Sequence, residues 1–320
     1  MIKRTIPSVC MIIAVVLCLF SCGKADEVET HKYVREIEGK VFSLEYVTFS
    51  GDGESRVDFN AEKVSEIDKS AEKAIADALA YLSDEHNEYI SKINAEVDYV
   101  FDVDQTFLDV LDMAYRLSDF TCGEYKPAVG SSAEEYSAAS VIEVNDGEII
   151  KHNKTAKIDF GIVKESYALS YAVESLVETG VQFATVSYGD SAARIDKGER
   201  KQPADIAVYA VDGDDEYDGT LLLDKGFATV RTKDSSATDP VTGEEKKNLH
   251  NTVIVLTNDG KITSCLADAF MRLDTDRIKE LYNDKTFKFE AVIIEDNGDV
   301  FMTHGAENNN IYETGSETTE

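Results

Sequence analysis

The chain has 320 residues, 43% hydrophobic and 29% charged, a balance that suits one large or two small globular domains and excludes global disorder. Its formal charge is −30, from 62 acidic against 32 basic side chains. A surface this acidic repels phosphate backbones and anionic headgroups, so nucleic-acid binding is excluded, and any anionic ligand must be met by local amides or a placed cation.

Met1 to Arg4 are basic and lead into an apolar run from Val9 to Phe20 that closes on Ser21-Cys22-Gly23. The run is about a dozen residues, short of the roughly 20 that span a bilayer. A small residue before cysteine at that point marks a lipoprotein signal. Residues 1–21 are expected as the signal peptide, Cys22 as the lipid attachment site, and the outer face of the cell membrane as the location. Residues 22–32 read as a polar tether, 33–304 as the folded domain and 305–320 as a flexible tail. Cys122 and Cys265 stay in the domain and read as free, buried thiols. The histidines are scattered singly, without zinc spacing.

Within the domain, Val41 to Phe49 reads as a strand. From Asn60, a candidate cap, to Leu82, the residues Val64, Ile67, Ala71, Ala74, Ile75, Ala78 and Leu79 recur at helical spacing. Helices are also expected over Thr106 to Leu117, Tyr167 to Glu178 with Gly180 as the stop, and Cys265 to Asn283. Strands are expected at Phe183 to Ser187, Ile206 to Val211, Gly219 to Leu223, Phe227 to Thr229, Asn251 to Leu256 and Phe289 to Glu295. Several strands follow one another through short Asp/Asn/Gly turns, which favours a mixed α+β fold with a largely antiparallel sheet flanked by helices. No Gly-rich phosphate loop and no Ser/His/Asp or Cys/His constellation is present, and no catalytic residue is assigned.

Six stretches stand out in order: Ile93-Asn94; Cys122-Gly123-Glu124-Tyr125-Lys126-Pro127-Ala128-Val129-Gly130; Asp159-Phe160-Gly161-Ile162-Val163-Lys164-Glu165-Ser166-Tyr167-Ala168; Ser187-Tyr188-Gly189-Asp190; Asp239-Pro240-Val241-Thr242-Gly243; and Ala267-Asp268-Ala269. This succession, over roughly Ser70 to Leu273, resembles the landmarks of the ApbE-type FAD:protein FMN transferases. The resemblance implies an ApbE-like fold and FAD as substrate. It also implies Mg²⁺ between an Asp carboxylate and the FAD phosphates, and an acceptor protein that offers a Ser or Thr hydroxyl. Carried over position by position, it assigns flavin-nucleotide contacts to Asn94, Tyr125, Pro127, Asp159, Gly161, Gly189, Asp239 and Thr242, and the metal to Asp268. Tyr125 and Phe160 become candidates to stack on the isoalloxazine, although aromatics flanked by Gly more often pack in cores, and Asp159 a buried or capping acid.

The chain departs from the pattern at several of these positions. Ile162 replaces a Gly that would let backbone amides approach a diphosphate. Glu165 falls on the pattern's Lys in an ungapped match, whereas a slip of one residue places Lys164 there; both alignments stay open. Ser236 stands where a His is expected, Val230-Arg231 where Ser-Gly is expected, and Arg272 where a Thr would join the metal. Arg272 lies four residues after Asp268, a spacing that disposes the two to pair. It either replaces the metal as a fixed cation or neutralises Asp268 and closes the site. Two functions follow: an FMN transferase, or a catalytically degenerate lipoprotein of the same fold that binds flavin or a partner.

Overall fold

The computed structural model describes residues 27–50, 61–95, 99–100, 102–129, 142–145, 148–152, 157–197, 204–209, 217–235, 237–238, 245–309 and 311–314. One sheet of eight strands has the same order in space as in the chain: β1 (Glu27–Ile37), β2 (Lys40–Ser50), β3 (Phe183–Tyr188), β4 (Ser191–Asp196), β5 (Gly226–Thr232), β6 (Thr252–Thr257), β7 (Glu290–Ile294) and β8 (Val300–Met302). Each neighbouring pair is antiparallel, as the α+β expectation required.

The central strands are rich in Val, Ile and Thr and are buried on both faces, with alternate side chains entering two cores. Val253, Val255, Ala291 and Ile293 belong to the larger core, which is shared with the helices. Ile254, Val292 and Ile294 belong to a smaller one. The helix layer comprises α1 (Ala61–Tyr81), α2 (Glu88–Asn94), α3 (Gln105–Phe120), α4 (Val163–Glu178), α5 (Gly260–Phe270) and α6 (Thr275–Asp284). Helix α4 lies between α1 and α5 and packs on both. The smaller core is closed by Leu221 and Leu223 of a second sheet (Ala204–Tyr209, Tyr217–Leu223, Tyr312–Thr314) and by Ala306 of α7 (His304–Asn308).

Three expectations change. The segment expected as a tether enters β1 at Glu27, and the strand pairs with β2 along its whole length, from Glu27↔Ser50 to Ile37↔Lys40. An edge strand held by backbone bonds needs no apolar alternation, which is why its polar sequence gave no strand signal. The segment expected as a flexible tail holds α7 and the strand Tyr312–Thr314, paired to Gly219, Thr220 and Leu221. The helix expected over Cys265 to Asn283 is two helices, broken at Met271 and restarted by Asp274, whose side chain accepts the Arg277 amide. Asn94 ends the short helix α2, capped by Asn87, which accepts the Tyr89 and Ile90 amides. Asn60 and the segment around Cys22 lie outside the described residues. Among the described residues no helix is long and apolar enough to cross a membrane.

Candidate functional site

The earlier landmarks meet around a short strand pair, Ala128–Val129 with Lys157–Ile158. Asn94 bridges to it twice: its Nδ2 donates to the Ile158 carbonyl at 3.1 Å and its Oδ1 accepts the Ile158 amide at 2.6 Å. The Pro127 carbonyl accepts the Asp159 amide at 2.9 Å. The Tyr125 hydroxyl donates to the Phe160 carbonyl at 3.3 Å. Three segments far apart in sequence are thus one hydrogen-bonded unit.

Its side chains do not sit as the stacking expectation required. Tyr125 is 5% exposed and Phe160 fully buried, so both rings are core. Burial pushes the Tyr125 phenol well up, with Cys265 and Asp159 adding to the effect. Asp159 is exposed rather than buried; it caps the turn by accepting the Gly161 amide at 2.9 Å and pairs with Lys164 at 3.4 Å. Gly161 has φ +50 with open space where a Cβ would be, so the positive φ accounts for the glycine.

The turn into α4 is self-satisfied. The amides of Val163, Lys164 and Glu165 donate to the carbonyls of Phe160, Gly161 and Ile162. The Ile162 carbonyl also lies 2.8 Å from the Ser264 hydroxyl. Ser264 and Ser166 hydroxyls are 2.7 Å apart, and Ser166 reaches the Lys261 carbonyl at 3.2 Å, so Ser166 ties α4 to α5. The backbone groups that would approach a diphosphate in the family pattern are engaged here within the fold.

The later landmarks meet in a charged cluster at the end of α5. Asp268 lies in the last turn of that helix, where the helix dipole disfavours a carboxylate. Arg272, its side chain 5% exposed, reaches Asp268 Oδ2 through Nη2 at 2.5 Å and Glu124 Oε2 through Nε at 3.2 Å. Lys246 reaches the same Glu124 oxygen at 2.8 Å. The third guanidinium nitrogen, Nη1, is buried with no hydrogen-bond partner among the described residues.

The break between α5 and α6 builds this arrangement. The Met271 carbonyl accepts the Leu249 amide at 2.7 Å, and the Leu273 carbonyl lies 2.7 Å from His250 Nε2. Those bonds lay the 245–250 segment, and with it Lys246, beside Arg272. Glu124 is turned in by two residues with positive φ, Cys122 (+57) and Gly123 (+80). Cys265, behind Asp268, is buried and its thiol is pushed well up by burial and then by the Asp268 charge; Cys122 is exposed, against the expectation, and accepts from Arg277 at 3.0 and 3.2 Å.

Gly189 belongs to a second cluster. Glu165, nearly buried, pairs with Lys40 and lies 3.7 Å from Arg231 Nη2. Arg231 Nη1 pairs with Asp190. Gly189 has φ +58, and a Cβ there would lie 3.0 Å from Glu165 Oε2. Glu165, which falls on the pattern's Lys in the ungapped match, and Arg231, which stands for its Gly, are therefore opposite charges that face each other.

A cleft of about 350 Å³ opens beside Lys246, lined also by Lys233, Ser235, Glu245, Lys247 and Asn248. A larger one of about 1050 Å³, with Lys225, Lys285, Lys288 and His304 on its wall, shares no residue with either cluster. Asp239, Thr242 and Ser236 lie outside the described residues. For Mg²⁺ the donors do not fit: the ion wants oxygens in octahedral array, whereas a guanidinium already stands between the carboxylates of Asp268 and Glu124. Among the described residues no group of three or more His, Cys, Asp or Glu is placed to hold a metal. Sequence reasoning missed Glu124 and Lys246 as partners of Arg272, and Lys40 and Asp190 in the second cluster.

An eight-stranded antiparallel sheet with its main helix layer on one face, and an aspartate paired with an arginine at a helix end, defines an α+β protein with a polar, charge-lined site. The model of the ApbE family matches residues 47–293, and the chain belongs to that family. Among solved structures it is similar to the flavin transferase ApbE from Vibrio cholerae, at 14% identity and TM-score 0.66, over 88% of this chain and 99% of that one. It is similar to the ApbE protein from Thermotoga maritima at 14% identity and TM-score 0.65, with the same two coverages. The apo flavinyl transferase ApbE from Pseudomonas stutzeri gives 16% identity and TM-score 0.67, over 88% and 96%. No curated protein matches the chain.

Proposed function

We propose that this chain is an FAD:protein FMN transferase, anchored to the cell membrane through lipidated Cys22 and acting on an acceptor protein outside the cytoplasm. The observation that supports it most is convergence: family landmarks scattered from Asn94 to Arg272 are drawn into one hydrogen-bonded unit and one charged cluster, the latter beside a lysine-lined cleft. In the reaction, the acceptor hydroxyl oxygen bonds to the phosphorus of the FMN half of FAD. The bond from that phosphorus to the bridging oxygen breaks, its electron pair leaves with AMP, and the hydroxyl proton passes to solvent. Such a transfer is mostly positioning and neutralisation of phosphate charge. Arg272 and Lys246 are the cations placed to neutralise it. Magnesium assistance belongs to the family pattern; the side chains at Asp268 do not fit it, and no step is routed through it.

One observation favours a second reading. Asp268 is already neutralised by Arg272, which suits a relative that binds FAD without transferring FMN. Incubating the purified protein with FAD and an acceptor protein separates the two. Release of AMP with covalent flavin fluorescence on the acceptor supports transfer. FAD retained without AMP supports the binder, and neither overturns both. The anchor has its own test: labelled fatty acid incorporated in cells should be lost in Cys22→Ser and unaffected in Cys18→Ser.

A further inference from the structure

We infer that the diphosphate of the flavin nucleotide is held here by side-chain cations, Arg272 with Lys246 beside it, in place of a divalent metal ion. The inference rests on the reading that this site takes a flavin nucleotide. Arg272 occupies the space between Asp268 and Glu124, at 2.5 and 3.2 Å, where a cation bridging two carboxylates would lie. Its remaining donor, Nη1, is buried and has no acceptor among the described residues. A charged donor left buried and unpaired is costly, and the shortfall ends when an anionic oxygen arrives.

A guanidinium suits that oxygen. Its planar fork matches phosphate geometry, its charge does not titrate away, and it sheds water more readily than an ammonium. Lys246 shares Glu124 with Arg272, so the two cations are held side by side by one carboxylate. The cleft that begins at Lys246 carries Lys247 and also Lys233, which pairs with Asp296 at 2.7 Å, in a chain whose net charge is −30. Glu245 lines it too, on the same short stretch. On an acidic surface that repels nucleotides at a distance, a lysine-bearing cleft that shares Lys246 with the Arg272 cluster is a place where a diphosphate is attracted.

The test is FAD binding to the full protein, followed by quenching of flavin fluorescence, in EDTA and in MgCl₂. The wild-type protein should bind with the same affinity in both, within about twofold. Arg272→Thr, which restores the hydroxyl of the family pattern, should bind at least about tenfold more weakly in EDTA and recover with Mg²⁺. Arg272→Lys keeps the charge without the fork and should fall between the two. Circular dichroism shows which variants fold, and the wild-type comparison stands alone if Arg272→Thr does not. Wild-type binding that EDTA abolishes and Mg²⁺ restores overturns the inference and leaves the flavin reading intact. Variants that bind like wild type in EDTA also overturn it. No FAD binding under either condition defeats the flavin reading, and the inference with it.

Discussion

Two buried arginines stand where the family pattern has small or hydroxyl residues, and they differ in what lies beside them. Around Arg231, Nη2 and Glu165 Oε2, neither hydrogen-bonded among the described residues, lie 3.7 Å apart and offset each other, with Asp190 and Lys40 closing the ends and Nε left buried without a partner among the described residues. Around Arg272, both carboxylates are engaged and Nη1 meets no acceptor among the described residues. Each cluster thus keeps one buried donor, and only the Arg272 cluster shares a residue, Lys246, with a cleft that could admit a ligand. The first cluster joins the β1–β2 turn, α4 and the β3–β5 region, whereas the second lies beside a cleft.

The comparison breaks most readily at the arginines. Arg272→Ala leaves Asp268 and Glu124 without their shared cation and should cost about 3–5 kcal/mol in denaturant unfolding. Arg231→Met should cost a similar ~3–5 kcal/mol, yet leave FAD affinity unchanged, because its cluster lines neither of the two clefts. Adding Glu165→Gln to Arg231→Met should recover much of the loss, since removal of both partners relieves the stranded charge. An FAD defect in Arg231→Met would erase the distinction between the clusters.

Smaller effects sharpen the assignment of the earlier landmarks to the fold. Asn94→Ala removes both bonds to Ile158 and should lower stability by about 2 kcal/mol. Gly161→Ala meets open space and should lose only the cost of a positive φ, about 1–2 kcal/mol. The smallest effect is in pH. Burial raises the Glu295 carboxyl, but bonds from Thr275 and His250 outweigh it and hold the carboxyl below its usual range. The stabilisation is therefore present above the unfolded carboxylate value of about 4.3 and lost as pH falls through the lower folded value. The melting temperature should fall more steeply below about pH 4 in wild type than in Glu295→Gln.

The sequence made the sheet and α1 legible by different marks: β6 and β7 are short unbroken apolar runs, and the apolar residues of α1 recur every three to four. It hid β1, whose pairing is carried by the backbone, and the α5–α6 break, where no Gly or Pro interrupts the pattern and the only mark is the cap Asp274. At the site, the Asp268–Arg272 pair was readable from its spacing of four. Its partners Glu124 and Lys246 were not, since they arrive from turns far along the chain and follow no period. Tyr125 was placed in the cleft because an aromatic beside glycine says nothing of depth; the fold buries it.

The central claim is that this site carries its own cation. Electron paramagnetic resonance of Mn²⁺ titrated into the wild-type protein with FAD tests it most directly, with Asp268→Asn as the comparison. The account predicts that the free Mn²⁺ signal is the same for both proteins. Uptake of one Mn²⁺ per wild-type chain, lost in Asp268→Asn, would contradict it.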